Sequence, residues 1–140
     1  MHPSIDIDKL FILALLEGSP ELRLIVKGRV YDPGRSADAE REDLIPYIVV
    51  NIGGGSNQKN HKDCTGEGDS DIVDVNLLIV AEGRGQLGEI FRHTRKVLRL
   101  YLEENEDVLD YGVSFSNVQM DISKPCVFVS LKYSVEVKLN

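Results

Sequence analysis

The stretch from Val127 to Leu139 constrains the fold more than any other. Val127, Val129, Leu131, Tyr133, Val135, Val137 and Leu139 share one parity, while Ser130, Lys132, Ser134, Glu136 and Lys138 take the other. Successive side chains of a strand point to opposite faces of a sheet, so this is a long strand with one packed face and one wet face. The packed face needs a covering layer. Gln86 to Asn105 supplies one: Leu87, Ile90, Phe91, Thr94, Val97, Leu98, Tyr101 and Leu102 fall at helical spacing and form a single stripe.

Further strands follow from the same period. In Ile72 to Ala81, Val73, Val75, Leu77 and Ile79 alternate with a face that is polar in the first half and apolar in the second. Gly112 to Ile122 places Val113 and Phe115 on one parity, then Val118, Met120 and Ile122 on the other, with a slip near Asn117 that a β-bulge would explain. Pro46 to Ile52 opens with a proline, which suits a strand's first residue. Leu22 to Tyr31 alternates Leu22, Leu24, Val26, Gly28 and Val30 with Arg23, Lys27 and Arg29 and predicts another strand, ended by Asp32-Pro33-Gly34. Arg35 to Asp43 is a charged connector.

At the start of the chain, Ser4 or Asp6 can cap a helix that runs to about Glu17 and closes at Gly18 and Pro20. Leu10, Phe11, Ile12, Leu13, Leu15 and Leu16 cover most of its circumference. A helix apolar all round must be buried all round, and a neighbouring subunit is one source of that cover. Ile12 and Leu16 are therefore candidate subunit contacts. The order is α-β-β-β-α-β-β. It predicts one α+β domain over 1–140, with a single antiparallel sheet of about five strands and two helices on one face.

Gly53 to Asp71 reads GGGSNQKNHKDCTGEGDSD, and its only hydrophobic residue is Cys64. Loops this long inside compact domains are either disordered or functional. The reading is a mobile arm hinged at Gly53-Gly54-Gly55, with Asn57, Lys59, His61, Lys62 and Asp63 as candidate partner contacts.

Lys and Arg total 16 and Asp and Glu total 23, for a net charge of −7. That balance argues against generic duplex binding, which depends on phosphate neutralisation. It favours solubility and protein partners. Cys64 and Cys126 show no metal or multi-bridge spacing, so a reducing cytosolic setting is the default. The longest apolar run, Leu10 to Leu16, is too short to span a bilayer, and the opening residues do not resemble a signal peptide.

Several motifs compete with simpler readings. Gly83-Arg84-Gly85-Gln86-Leu87-Gly88 matches a dinucleotide fingerprint between a strand and a helix. The fingerprint also wants a second parallel strand closed by an acidic residue about twenty positions on. Here the helix is still running at that point, so the motif reads as a turn and no nucleotide is expected. Gly53-Gly54-Gly55 lacks the Lys-Ser/Thr of a P-loop. His61-x-x-Cys64 with Asp63 lacks a second ligand pair, and Asp69, Asp71 and Asp74 lack the glycine and final glutamate of a calcium loop. No metal or other cofactor is expected. Arg92, Arg95, Lys96 and Arg99 form a basic stripe on the long helix. It reads either as a nucleic-acid patch or as a solvated face with Glu89–Arg92, Glu89–His93 and Arg99–Glu103 pairs, and the second is favoured. No nucleophile–base set is present, and Cys126 reads as inert core.

Taken together, Pro46-Tyr47-Ile48-Val49-Val50, the polar glycine-containing loop, the strand Val73 to Ala81, the Gly-Arg-Gly turn into a long helix and the final hairpin resemble the tail-completion, or tail-to-head joining, proteins of long-tailed bacteriophages. The resemblance runs from about Ile7 to Leu139, and the family is similar in fold to the tail terminator of lambda-like phages. It implies a non-enzymatic ring, usually hexameric, that caps the tail tube and docks it to the head connector. It implies assembly in the bacterial cytoplasm, residence in the virion, and no catalytic residues. Two other classes remain open: a stand-alone α+β ligand-binding or regulatory module, and an enzyme built on His61, Asp63 and Glu67.

Overall fold

The computed structural model describes residues 3–32, 45–58, 70–121 and 126–138. The elements in order are α1 (Pro3–Glu17), α2 (Pro20–Val26), β1 (Val30–Tyr31), β2 (Tyr47–Gln58), β3 (Ser70–Ala81), α3 (Arg84–Glu104), β4 (Val108–Phe115), β5 (Gln119–Asp121) and β6 (Cys126–Lys138). The fold is α+β, with three helices and six strands among the described residues. The strand order is β1-β2-β3-β6-β4, and β5 also pairs with β6. All pairs are antiparallel except β1 with β2, so the sheet is mixed.

The long strand behaves as its alternation requires. Val127, Val129, Leu131, Tyr133, Val135 and Val137 are all buried, and so are their β3 partners Ala81, Ile79, Leu77, Val75 and Val73. The helices cover this face. Leu87, Ile90, Leu98 and Leu102 of α3 and Ile7, Phe11 and Leu15 of α1 complete the core. The opposite face is polar along its middle: Asp74 pairs with Lys132 at 3.4 Å and accepts a 2.8 Å hydrogen bond from the Ser134 hydroxyl. Toward the end of β3 that outer face turns apolar, and Val80 is buried there beside its ladder partners Tyr47 and Phe128. This accounts for the doubly apolar second half of β3.

The structure corrects the first predicted strand. Leu22 to Val26 is helical, and only Val30–Tyr31 is extended. Leu22 and Val26 share a parity but are also four apart, so they fit either period. The local chemistry favours the helix. The Ser19 hydroxyl accepts from the Leu22 amide at 3.2 Å, Pro20 fills the first turn, and Lys27 closes the helix in the left-handed region at φ 55°. Leu24, which alternation would bury, is 78% exposed.

Two local irregularities follow, the first as expected and the second not. The phase slip near Asn117 falls between β4 and β5, which pair with the same strand in registers one residue apart: Ser116 to Val118 stand opposite only Val129 and Ser130, the single-residue excess of a bulge. The Gly53 region is not the hinge of a loop. The β2–β3 ladder continues from Gly54↔Asp74 to Gln58↔Ser70, with a register shift between Ile52 and Gly54. Gly53 sits at that shift, where a Cβ would meet the movable Asn76 side-chain amide, and Gly54 adopts φ 132°. The Gly54 backbone selects glycine at the bulge.

Candidate functional site

No cluster of catalytic type is assembled among the described residues; the candidate surfaces are two sheet edges, their apolar flanks and a cationic groove.

The first edge is β2. Strand β1 pairs only at Ile48 and Val49, so 50–58 has no partner on that side among the described residues. The second edge is β4, which pairs with β6 on one side and with no described strand on the other. The edges lie at opposite ends of the strand order. Beside β4, Phe115, Val118 and Met120 are exposed, the last 68%. Phe115 and Val118, together with Leu87, Phe91 and Val129, line a shallow apolar depression. A second apolar surface lies across α3, where Leu10, Leu13, Ala14, Leu100 and Tyr101 line the α1–α3 seam. Leu13 is 50% exposed there.

The cationic groove of about 410 Å³ opens between α3 and the β4–β6 part of the sheet. Its rim carries Arg92, Arg95, Lys96 and Arg99, which fall on one stripe of α3 because they are three and four residues apart. Its floor is Phe91, Tyr111, Val113 and Tyr133. The pairs expected to neutralise this stripe do not form. Among the described residues none of the four cations has a carboxylate oxygen within 4.0 Å. Glu103 instead accepts from the Tyr111 hydroxyl at 3.2 Å. The Arg95 guanidinium lies 5.7 Å from the Phe91 ring centroid and 5.8 Å from that of Phe115, so aromatic faces hold it rather than an acid. Burial pushes the Tyr133 hydroxyl up to about 12, against the opposing pull of Arg95.

No protein-family model matches the chain, and no curated protein matches it in sequence. In fold it is similar to a chain from the virion of a native gene transfer agent (GTA) particle. The identity is 14% and the TM-score 0.47, over 91% of each chain.

Of the residues singled out from sequence, Ile12 and Leu16 are half-buried against the core, and Leu13 instead marks the outer side of α1. Asn57 lies in β2, where its backbone pairs with Asp71. Lys59, His61, Lys62 and Asp63 lie outside the described residues, as do Cys64 and Glu67. Of the Gly83–Gly88 motif only Gly83 lies in the β3–α3 turn, as the N-cap, and Arg84 to Gly88 are the opening of the helix. The Glu82 amide donates to the Gln86 side chain at 2.9 Å, and a Cβ at Gly83, Gly85 or Gly88 would touch nothing within 4 Å. The strand after α3 does not pair with β3, because β6 lies between them, so the paired parallel unit of a dinucleotide site is not built. Sequence reasoning found the basic stripe but not its aromatic floor. Tyr111, Val113 and Tyr133 come from β4 and β6, and only the pairing of those strands brings them under α3.

Proposed function

We propose that this chain is a non-enzymatic structural subunit of a phage or phage-like particle. In this reading, copies close into a ring, usually hexameric in the family it resembles, that completes the tail tube and joins it to the head connector. The observation that carries the reading is the pair of open edges, β2 over 50–58 and β4, at opposite ends of one sheet. Unpaired edges are templates for another chain. Two different edges on one molecule give head-to-tail contacts, which form a ring when the rotation closes. The apolar flanks add to this, since Phe115 and Val118 lie on one side of α3 and Leu13 on the other. Each such side chain contributes roughly 1.5–3 kcal/mol if fully buried. Leu13, rather than Ile12 or Leu16, is then the α1 residue facing a neighbour. The hairpin that carries Asn57, with Lys59, His61, Lys62 and Asp63 following it in sequence, is assigned to contact with the tube or the connector.

The test is complementation of a particle-producing lysate that lacks this chain. Phe115→Lys places a charge on the exposed β4 edge and leaves the core untouched. The variant is expected to fold with an unchanged circular dichroism spectrum and to leave heads and tails unjoined. Normal joining by a folded Phe115→Lys protein would remove the β4 edge from the ring. Failure of the wild-type chain to restore joining would remove the function itself.

A further inference from the structure

The ring uses the sheet edges and the apolar flanks and leaves the groove beside α3 without a role. We propose that this groove is a docking site for an acidic segment of a partner protein, one carrying two or three carboxylates around an apolar side chain. Charge complementarity is the first argument. In a chain of net charge −7, Arg92, Arg95 and Arg99 stand in a stripe with no carboxylate within 4.0 Å among the described residues. Solvated helix faces ordinarily mix signs at this spacing. Pre-organisation is the second. Phe91 and Phe115 hold the Arg95 guanidinium, its centre 5.7 and 5.8 Å from their ring centroids, and no described carboxylate takes any of its donors.

The floor is the third argument. Phe91, Tyr111 and Val113 are apolar and half-buried, so the site asks for a hydrophobic anchor as well as charge. A nucleic-acid backbone fits less well. The stripe from Arg92 to Arg99 is about 10 Å long at the rise of a helix, room for about two phosphates. The overall negative charge also repels a longer polyanion. In an extended peptide, carboxylates on alternate residues stand about 7 Å apart, close to the steps between the cations. The inference does not rest on the ring: Phe115 borders both surfaces, but Arg92→Glu/Arg99→Glu changes only the α3 rim and leaves the β4 edge intact, so loss of peptide binding and loss of joining are read separately.

The test is fluorescence anisotropy of the full chain with a labelled acidic peptide of alternating glutamate and leucine. A lysine–leucine peptide, oligothymidylate and inorganic phosphate serve as the other probes. The acidic peptide is expected to bind saturably and to weaken about tenfold as salt rises from about 50 to about 500 mM. Arg92→Glu/Arg99→Glu, two exposed positions, should weaken it about tenfold or more, the scale of a lost charge-assisted hydrogen bond. Arg95→Lys, which keeps the charge and loses the guanidinium fork, should fall between. No saturation at about 1 mM peptide, or binding that the double variant leaves unchanged, overturns the proposal. Tighter binding of oligothymidylate, or of phosphate alone, overturns the choice of a protein acid. Loss of self-association in the double variant, read by sedimentation velocity, would make the occupant a second copy of this chain and overturn it as well.

Discussion

Helix α3 is closed against α1 on one flank and stands open beside β4 on the other. On the closed flank the residues are small where the helices meet. A Cβ on Gly18 would lie 2.6 Å from the Ala14 carbonyl oxygen and 2.8 Å from Val97 Cγ1. Phe11 then reaches inward, edge-on to Tyr101 at 6.1 Å and to Tyr133 at 5.6 Å. On the open flank the contacts are made by long side chains, with Arg95 lying across Phe91 and Phe115. Small residues let the backbones approach, and the seam opens only at its surface, beside Leu10, Leu13 and Leu100. Long amphipathic ones bury their stems, keep their charged ends outward, and leave a groove. One helix therefore packs closely against its neighbour on one side and stands off from it on the other, and the size of the residues between decides which.

The largest test of this contrast is Phe11→Ala. Phe11 is fully buried between two tyrosines on the closed flank. Truncation should cost about 3–5 kcal/mol in urea unfolding, from lost transfer energy and an unfilled cavity. A loss below about 1 kcal/mol would show that the seam collapses readily and is not close-packed.

Next in size is a pair of glycine substitutions. Gly18→Val should cost about 1–3 kcal/mol by overpacking, because the first obstacle is backbone and cannot swing away. Gly85→Ala, in the open first turn of α3, meets nothing within 4 Å and should be neutral or stabilising by up to about 1 kcal/mol. Equal thermal melting temperatures for the two variants would contradict the difference in closeness.

Much of this architecture was legible in the sequence, and the reasons differ by element. Strand β6 was plain because its alternation runs the whole length and every inward residue is apolar. The stripe of α3 was plain because Leu87 to Leu102 keeps one period for several turns. The α2 segment was not, because a seven-residue helix holds only two buried residues, Leu22 and Val26, and two residues four apart do not separate the periods. The deciding signal, Ser19-Pro20-Glu21, stood outside the hydrophobic pattern. The glycines at 53–55 pointed to irregular backbone, but composition does not tell a bulge from a hinge; the ladder that continues past the register shift between Ile52 and Gly54 does. The groove was half legible. Its cations share one helix, while its floor depends on strands that pair across the sheet.

The smallest effect at neutral pH, and the one that joins both flanks, belongs to Tyr133. Its ring packs edge-on against Phe11, and its hydroxyl end faces the groove near Arg95 and Tyr111. Burial disfavours the phenolate and raises the folded-state value to about 12, although the adjacent Arg95 guanidinium works the other way. The unfolded chain titrates near 10. Between those values the folded state holds a proton that the unfolded state has released, so stability falls as pH rises. The contribution is fully present below about pH 10 and is lost as pH passes through about 12, an effect on the order of 2 kcal/mol. Tyr101 and Tyr111 are raised as well, chiefly by burial, and steepen the same decline. Tyr133→Phe keeps the ring contact with Phe11 and removes the titrating group. The variant should match the parent within about 1 kcal/mol at pH 7. It should become the more stable of the two above about pH 11, as read from urea midpoints across the alkaline range. An unchanged alkaline slope would mean that the Tyr133 hydroxyl reaches water through the groove, and that the open flank extends further under α3 than its floor of Phe91, Tyr111 and Val113.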